Sequence, residues 1–443
     1  DKMAANFGLG AFSKATDLKK RLWFTLGCLV VYRLGTYIPI PGVDQQVFQD
    51  IFNQLNQSGG LLTMLGAFSG GALERMTIFA LNIMPYISAA IIIQLLTAVS
   101  PKLDQLKKEG EVGRKKINQY TRYLTVLLAA VQAYGVAAGL ESASSSAGAA
   151  VANPGLFFRA TVVITLVGGT VFLMWLGEQI TARGVGNGIS LIIFAGIVAS
   201  GPAAVGQLLE MGRRGSLSAF AIIAFIVLAV GVIAFVVFME RAQRRIVVQY
   251  PKRQQGNKMV GGESSHMPLK LNTAGVIPPI FASSILLLPA TLSGFQGTGG
   301  PEWLTTLNAY LGQGKPLFLL IYVGMIAFFA FFYTAIVFNP AETADNLRKY
   351  GGFIPGIRPG KPTADYLDYV LTRITVVGAL YLCAVAALPE ILRTNWQIPF
   401  YFGGTSLLII VSVTMDTTAQ IQGHLLAHQY EGLIKKSRLR GKR

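Results

Sequence analysis

Mostly apolar stretches of about 17 to 25 residues recur along the whole chain, separated by polar connections. A bilayer's hydrocarbon core is about 30 Å thick and an α-helix rises about 1.5 Å per residue, so roughly 20 apolar residues suffice to cross it. Ten stretches meet that length: Leu22–Ile38, Met76–Val99, Tyr123–Leu140, Leu156–Ile180, Ile189–Leu209, Leu217–Met239, Ala274–Leu292, Leu317–Val337, Leu371–Ile391 and Phe402–Ile421. They predict an all-α polytopic membrane protein with ten transmembrane helices.

Charge gives the predicted spans a direction. Of the 38 Lys and Arg, 29 fall before the first span, in alternate connections and in the tail. The other side holds six, namely Arg75, Arg159, Arg213, Arg214, Lys315 and Arg393, while Arg33, Arg122 and Arg373 lie at or inside span ends. Basic residues stay on the cytoplasmic side, so both termini and the basic connections are expected there. Arg213 and Arg214 sit against this rule without an explanation in the sequence.

Composition agrees, with 52% hydrophobic and 13% charged residues in 443, against roughly 25% charged in a soluble domain. The positive charge behind the net +17 is concentrated on one membrane side, which favours anionic phospholipid headgroups and acidic cytoplasmic partners over nucleic acid. Cys28 and Cys383 both fall within predicted spans and form neither a disulfide framework nor a CxxC pair. The basic amphipathic run from Phe12 to Arg21 reads as an uncleaved cytoplasmic lead-in helix, not as a signal peptide.

The long polar connection Glu240–Asn272 carries Arg241, Arg244, Arg245, Lys252, Arg253, Lys258 and Lys270 and divides the spans into two sets of five. An odd number inverts the second set relative to the first, the arrangement of inverted repeats in many translocating proteins. The resulting units are a cytoplasmic segment 1–21, a first five-helix half 22–209, an outer loop with the sixth span 210–239 and a basic cytoplasmic loop 240–273. Spans seven and eight (274–338), a docking loop (339–369), spans nine and ten (370–422) and a basic tail (423–443) follow. The Gly- and Pro-rich run in Asn339–Tyr369 predicts a rigid, turn-built projection rather than a helix. Both long connections have the composition of docking surfaces. Outside, Leu61–Leu73 is apolar but half as long as a span, which suits a re-entrant, cavity-filling piece or an interfacial helix.

Catalytic chemistry is missing from the spans. The histidines, His266, His424 and His428, lie in a loop and near the tail. Ser88 and Ser190 have the character of helix-packing contacts. A coupled transporter needs ionisable groups near the midplane; Glu178, Arg183 and Asp416 read instead as interface-level charges or helix contacts. What the spans do hold is isoleucine beside backbone breakers, in Asn82-Ile-Met-Pro-Tyr-Ile87, Gly186-Asn-Gly-Ile-Ser-Leu-Ile-Ile193 and Val276-Ile-Pro-Pro-Ile280. Such isoleucines suit either lipid-facing filler or an apolar constriction that gates by dewetting. On the residues alone a secondary transporter of a small solute and an intramembrane protease stay open beside a channel.

Several blocks run from the first span to the last: Ile38-Pro-Ile-Pro-Gly42, Phe68-Ser-Gly-Gly-Ala-Leu73, Ile83-Met-Pro-Tyr-Ile-Ser88, Lys107-Lys-Glu-Gly-Glu111, Gln119-Tyr-Thr-Arg-Tyr123 and Trp175-Leu-Gly-Glu-Gln-Ile-Thr181, then Gly186-Asn-Gly-Ile-Ser190, Glu240-Arg-Ala-Gln-Arg-Arg245, Phe338-Asn-Pro340, Glu342-Thr-Ala-Asp-Asn346, Pro355-Gly-Ile-Arg-Pro-Gly360 and Phe400-Tyr-Phe-Gly-Gly-Thr-Ser406. In these the chain resembles the SecY family, the channel subunits of the bacterial Sec protein translocase, in its proteobacterial form. The resemblance implies two inverted five-helix halves around an hourglass pore in the bacterial inner membrane. Unfolded preproteins pass through that pore, with no enzymatic activity, metal or cofactor of the chain's own.

By motif position the resemblance places an aliphatic pore ring on Ile83, Ile87, Ile189, Ile193, Ile280 and Ile409. It places a plug on residues 61–73, including Phe68, Ser69, Gly70 and Gly71. A lateral gate, through which apolar segments reach lipid, falls on Ser88, Gln94, Thr121 and Asn272. Docking of a motor or ribosome falls on Arg358, with Arg244, Arg245, Lys252 and Arg253 in support. The partners implied are the SecE and SecG subunits, the SecA ATPase, the ribosome, signal peptides and nascent preproteins, anionic phospholipids and, as further candidates, SecDF and YidC. Asn82 stands where the family's pattern has Gly, and an amide beside the ring is expected to loosen its seal.

Overall fold

A computed structural model describes residues 16–50, 75–142, 144–145, 148–149, 151, 153–215, 219–250, 253–255, 258–260, 264–271, 278–279, 281–282, 316–396 and 405–440. The helices among them are α1 (Thr16–Gly35), α2 (Met84–Val99), α3 (Pro101–Lys108), α4 (Glu111–Ser142), α5 (Leu156–Arg183), α6 (Gly188–Arg213), α7 (Ala219–Arg241), α8 (Pro316–Val337), α9 (Pro340–Lys349), α10 (Lys361–Trp396) and α11 (Thr405–Arg440). Four predicted spans, Leu156–Ile180, Ile189–Leu209, Leu217–Met239 and Leu317–Val337, coincide with a helix to within a few residues; five others fall on helices whose ends differ by more, and Ala274–Leu292 lies largely outside the described residues. By length and composition, Leu156–Arg183, Ala219–Arg241, Leu319–Lys349 and Lys361–Leu388 could each cross a membrane, and α2 with α3 passes the same test as a bent pair.

The second predicted span departs from expectation. It begins at Met84 rather than Met76, because Met76 (φ 46°) and Asn82 (φ 52°) occupy the left-handed region and stop a right-handed helix. Pro85 then lies in the first turn of α2, where its missing N–H costs nothing. Ahead of that helix, Ile78 donates to the Ile38 carbonyl (3.1 Å) and Ile40 to that of Met76 (3.1 Å), pinning this stretch to the exit of α1. At its far end the chain bends by 98° into α3, with Ser100 extended ahead of Pro101, as expected of a residue preceding proline.

The described residues form three apolar clusters, the smallest of them Leu18, Val185 and Leu425. One continuous cluster joins residues of α1, α2, α4 to α8, α10 and α11, with Tyr32, Met76, Ile83, Ile91, Leu166 and Tyr322 among its most buried side chains. A second, smaller cluster belongs to the polar projection: Ile246, Leu269, Ile354, Leu367, Val370 and Ile374.

Hydropathy did not reveal how that projection is built. Strands β3 (Gln243–Gln249) and β6 (Ser264–Lys270) pair antiparallel, from Gln243 opposite Lys270 to Gln249 opposite Ser264. Between them β4 (Arg253–Gln255) pairs with β5 (Lys258–Val260); a further short pair, β1 (Ser144–Ser145) with β2 (Gly148–Ala149), follows α4. The expectation of a turn-built Asn339–Tyr369 needs correction, since α9 occupies its beginning and α10 its end. Asn339 caps α9 by accepting from Ala341 N–H (3.1 Å), Pro340 suits the first turn, and Arg348 and Lys349 complement the helix's C-terminal end. Turns are confined to the Gly- and Pro-rich run between α9 and α10.

Candidate functional site

The isoleucines lie on three helices from distant parts of the sequence, within one apolar cluster. Ile83 immediately precedes α2 and Ile87 lies in its first turn; Ile193 belongs to α6 and Ile409 to α11. All four are buried in the large cluster, and Ile189 packs against it half-buried. Ile280 lies outside the described residues, although its neighbours Phe281 and Ala282 belong to the same cluster. Each isoleucine presents only hydrocarbon, so a surface built from them offers no hydrogen bond to hold a passing polar group.

Local geometry sets where these side chains start. Asn82 N–H donates to the Phe79 carbonyl (2.9 Å) and closes a turn, after which Ile83 N-caps α2. The left-handed backbone at Asn82 accounts for Gly in the family's pattern, since Gly adopts it without cost and Asn tolerates it better than most residues. At the start of α6, Asn187 Oδ1 accepts from Ile189 N–H (3.1 Å) and Thr181 Oγ1 from Gly188 N–H (2.9 Å). Gly188 has no substitute, because a Cβ there would collide with the Gly177 carbonyl oxygen of α5.

The seam residues separate into two kinds. Thr121 on α4 is satisfied within its own helix, donating to the Ile117 carbonyl (2.9 Å). Ser88 Oγ and Gln94 Oε1, both on α2, are buried without a hydrogen-bond partner among the described residues. Such groups are costly in place and ready to pair with an entering polar group. Asn272 and the plug residues Phe68, Ser69, Gly70 and Gly71 lie outside the described residues.

Both polar connections contribute to one projection. Gln249 of β3 and Phe353 exchange backbone hydrogen bonds of 2.8 and 2.9 Å. The Tyr250 ring lies so close to Gly352 that an added Cβ would stand 2.8 Å from its Cε1. Arg244 and Arg245 are exposed on β3, and Arg358 is exposed in the turn before α10. Arg358's carbonyl accepts from Thr363 Oγ1 (2.6 Å), which fixes the backbone that presents the guanidinium. Arg253 lies on β4, and Lys252 falls outside the described residues.

Polar ties between helices were harder to foresee. Arg122 of α4 pairs with Glu178 of α5 at 2.6 Å, which makes Glu178 a helix contact. Beyond the end of the third predicted span, Glu141 accepts from Arg159 Nε (2.8 Å) and from Gly155 N–H (3.0 Å). These bonds hold its carboxyl below the usual carboxylate range. Tyr381 of α10 donates to Glu240 Oε1 of α7 (3.3 Å). The signal available in the sequence was a charge at a span end, which does not name its partner.

Comparison with known proteins fits this architecture. The SecY family model matches residues 77–418. The chain belongs to the SecY family. It is 57% identical over 431 residues to the protein translocase subunit SecY of Rickettsia conorii, covering 97% of this chain and 99% of that one. Against the Escherichia coli K12 subunit it is 55% identical over 442 residues, covering 100% and 98%. Two solved structures share its fold, each covering 92% of both chains. "The structure of a protein conducting channel" has a TM-score of 0.64 at 19% identity, and "The plug domain of the SecY protein stablizes the closed state of the translocation channel and maintains a membrane seal" has 0.63 at 21%. As a SecY-family chain it is a multi-pass membrane protein and a subunit of protein translocase.

Proposed function

We propose that the chain is the protein-conducting channel of a bacterial translocase, passing unfolded preproteins outward through the inner membrane and releasing apolar segments sideways into the bilayer. The observation that carries this is end-to-end similarity, above half identity, to translocase subunits. Ten spans in two inverted halves enclose an hourglass pore, with both termini and the basic projections cytoplasmic, as the charge distribution argues.

Ile83, Ile87, Ile189, Ile193, Ile280 and Ile409 form its waist. Unfolded chains of any sequence can slide past aliphatic side chains, because nothing there binds backbone or charge; at rest the same ring excludes water by dewetting. Residues 61–73 act as the plug. Signal sequences part the seam at Ser88, Gln94, Thr121 and Asn272, whose unpaired groups in α2 lower the cost of separating it. Arg358, Arg244, Arg245, Lys252 and Arg253 dock the SecA ATPase or the ribosome; a structural relative, "Sec61 in the Canine ribosome-channel complex from the endoplasmic reticulum", supports the second partner. Exposed arginine suits both, offering forked donors to carboxylates and phosphates. SecE and SecG complete the complex, and anionic phospholipids balance its basic face.

The test is transport of a radiolabelled, unfolded, signal-bearing precursor into proteoliposomes holding this chain, SecE, SecG and SecA with ATP. Protease-protected precursor is expected. None, from a correctly assembled complex, would overturn the reading and return a small-solute transporter to the front.

A further inference from the structure

The connection between α5 and α6 is held by side chains from three helices. Val185 N–H donates to Thr25 Oγ1 of α1 (3.0 Å), and Gly186 N–H donates to Gln420 Oε1 of α11 (2.8 Å). With Thr181 and Asn187 serving Gly188 and Ile189, the four N–H groups of residues 185, 186, 188 and 189 are all satisfied by side chains. Three of those acceptors belong to the first set of spans. Gln420 comes from the last helix of the second set.

Packing agrees with that tie. Val185 is 1% exposed and clusters with Leu18 and Leu22 of α1 and with Ile421 and Leu425 of α11. Thr417 Oγ1 would lie 3.1 Å from a Cβ added at Gly186, so α11 passes directly over this turn. The turn leads straight into α6, where Ile189 and Ile193 follow. Along α11, Ile409 is 11 residues from Gln420, about 17 Å of helix.

We propose that Gln420 is a positioning residue for translocation, fastening α6 to α11 across the two halves so that Ile189, Ile193 and Ile409 keep their separation while the waist widens at the opposite seam. The proposal rests on reading these isoleucines as the waist. Its physical basis is the buried N–H of Gly186. If α11 tilted away from α6, that donor, buried at Gly186, would lose the acceptor that Gln420 supplies. Val185 would also leave its apolar cluster. Rotation about this edge breaks nothing, so the edge behaves as a fulcrum rather than as a gate.

The experiment uses the assembled complex in proteoliposomes, with Cys28 and Cys383 replaced by Ala and nitroxides attached through Val198→Cys on α6 and Thr418→Cys on α11. Spin–spin distances are measured at rest and with a precursor stalled in the channel. The expected result is one narrow distance, unchanged by stalling, in the otherwise unaltered protein and in Gln420→Glu, which retains an acceptor oxygen. In Gln420→Leu the distance is expected to broaden and lengthen on stalling, with resting ion conductance raised several-fold. A distance that grows on stalling without any Gln420 substitution overturns the proposal, as does Gln420→Leu that matches Gln420→Glu in distance and conductance. Ile193→Gly keeps the two readings apart. If it leaves conductance unchanged, the waist assignment fails, while the distances still judge the tie.

Discussion

Isoleucine is the principal buried residue both at the proposed waist and in the polar projection, yet burial means different things in the two places. Ile246 and Ile354 leave water when the projection folds, which is worth about 1.5–3 kcal/mol for each fully buried side chain. Ile83, Ile193 and Ile409 leave lipid, which is as apolar as they are, so they gain packing contacts and little else. The projection can therefore rest on its own small core and the Gln249–Phe353 bridge. The waist must be held by its surroundings, through the left-handed turn at Asn82, the Asn187 cap and the ion pair of Arg122 with Glu178. Substitution in the first region should register as stability, and in the second as transport.

The largest effect should come from a residue that supports neither core. Arg358→Ala removes an exposed guanidinium from a rigid turn; an interface hot spot of this kind contributes about 2–4 kcal/mol. Motor-driven translocation should fall to background while membrane insertion and thermal unfolding stay unchanged, and wild-type transport would refute the docking role. Next, Ile354→Ala should cost about 2–5 kcal/mol through lost burial and a residual cavity. That loss is to be read as a lower unfolding temperature in detergent and faster proteolysis of the projection. Ile83→Ala should cost clearly less than Ile354→Ala but raise resting ion conductance in planar bilayers. Equal destabilisation by the two would break the comparison.

Smaller effects sharpen it. Asn82→Ala keeps a Cβ in the left-handed turn but loses the short polar side chain that tolerates it, so it should cost a part of the roughly 1–2 kcal/mol that this conformation exacts from an ordinary residue. Asn82→Gly keeps the turn and removes the amide, so ion leak should drop below that of the parent; equal leak would show that the amide does not disturb the seal. The smallest effect concerns Glu141. Arg159 donates to its carboxylate and depresses its pKa below the ordinary 4.5. The resulting stabilisation is complete above that value and is lost as pH falls through the lower, folded-state pKa. Unfolding in detergent should thus be more acid-sensitive below about pH 4.5 in the parent than in Glu141→Gln, and parallel curves would assign the acid response elsewhere.

Much of the helical organisation was legible because span length is dictated by bilayer thickness. Leu156–Ile180 was expected and α5 runs Leu156–Arg183; Leu217–Met239 was expected and α7 runs Ala219–Arg241. Hydropathy failed where the backbone, rather than the side chains, decided. Met76 to Ile83 is apolar enough to read as span, but two positive-φ residues make it a chain of turns. Similarly, α4 starts at Glu111, well before its apolar part at Tyr123, since a helix does not stop where its residues become polar. The β3–β6 hairpin escaped notice because its alternation is short, with only Ile246 and Val248 buried on β3.

The sequence by itself determined membrane residence, the approximate place of most helices and the family to which the chain belongs. Each is encoded locally, in run length, charge sign and motif order. Tertiary structure alone decided which residues meet: that Ile83, Ile193 and Ile409 share one core, that Arg122 finds Glu178, that Phe353 bridges to Gln249, and that Gln420 reaches Gly186 from 234 positions away. Pairings of that kind depend on how helices tilt and pack in three dimensions. A polar side chain at a span end can satisfy many partners equally well, and only the packed arrangement selects one.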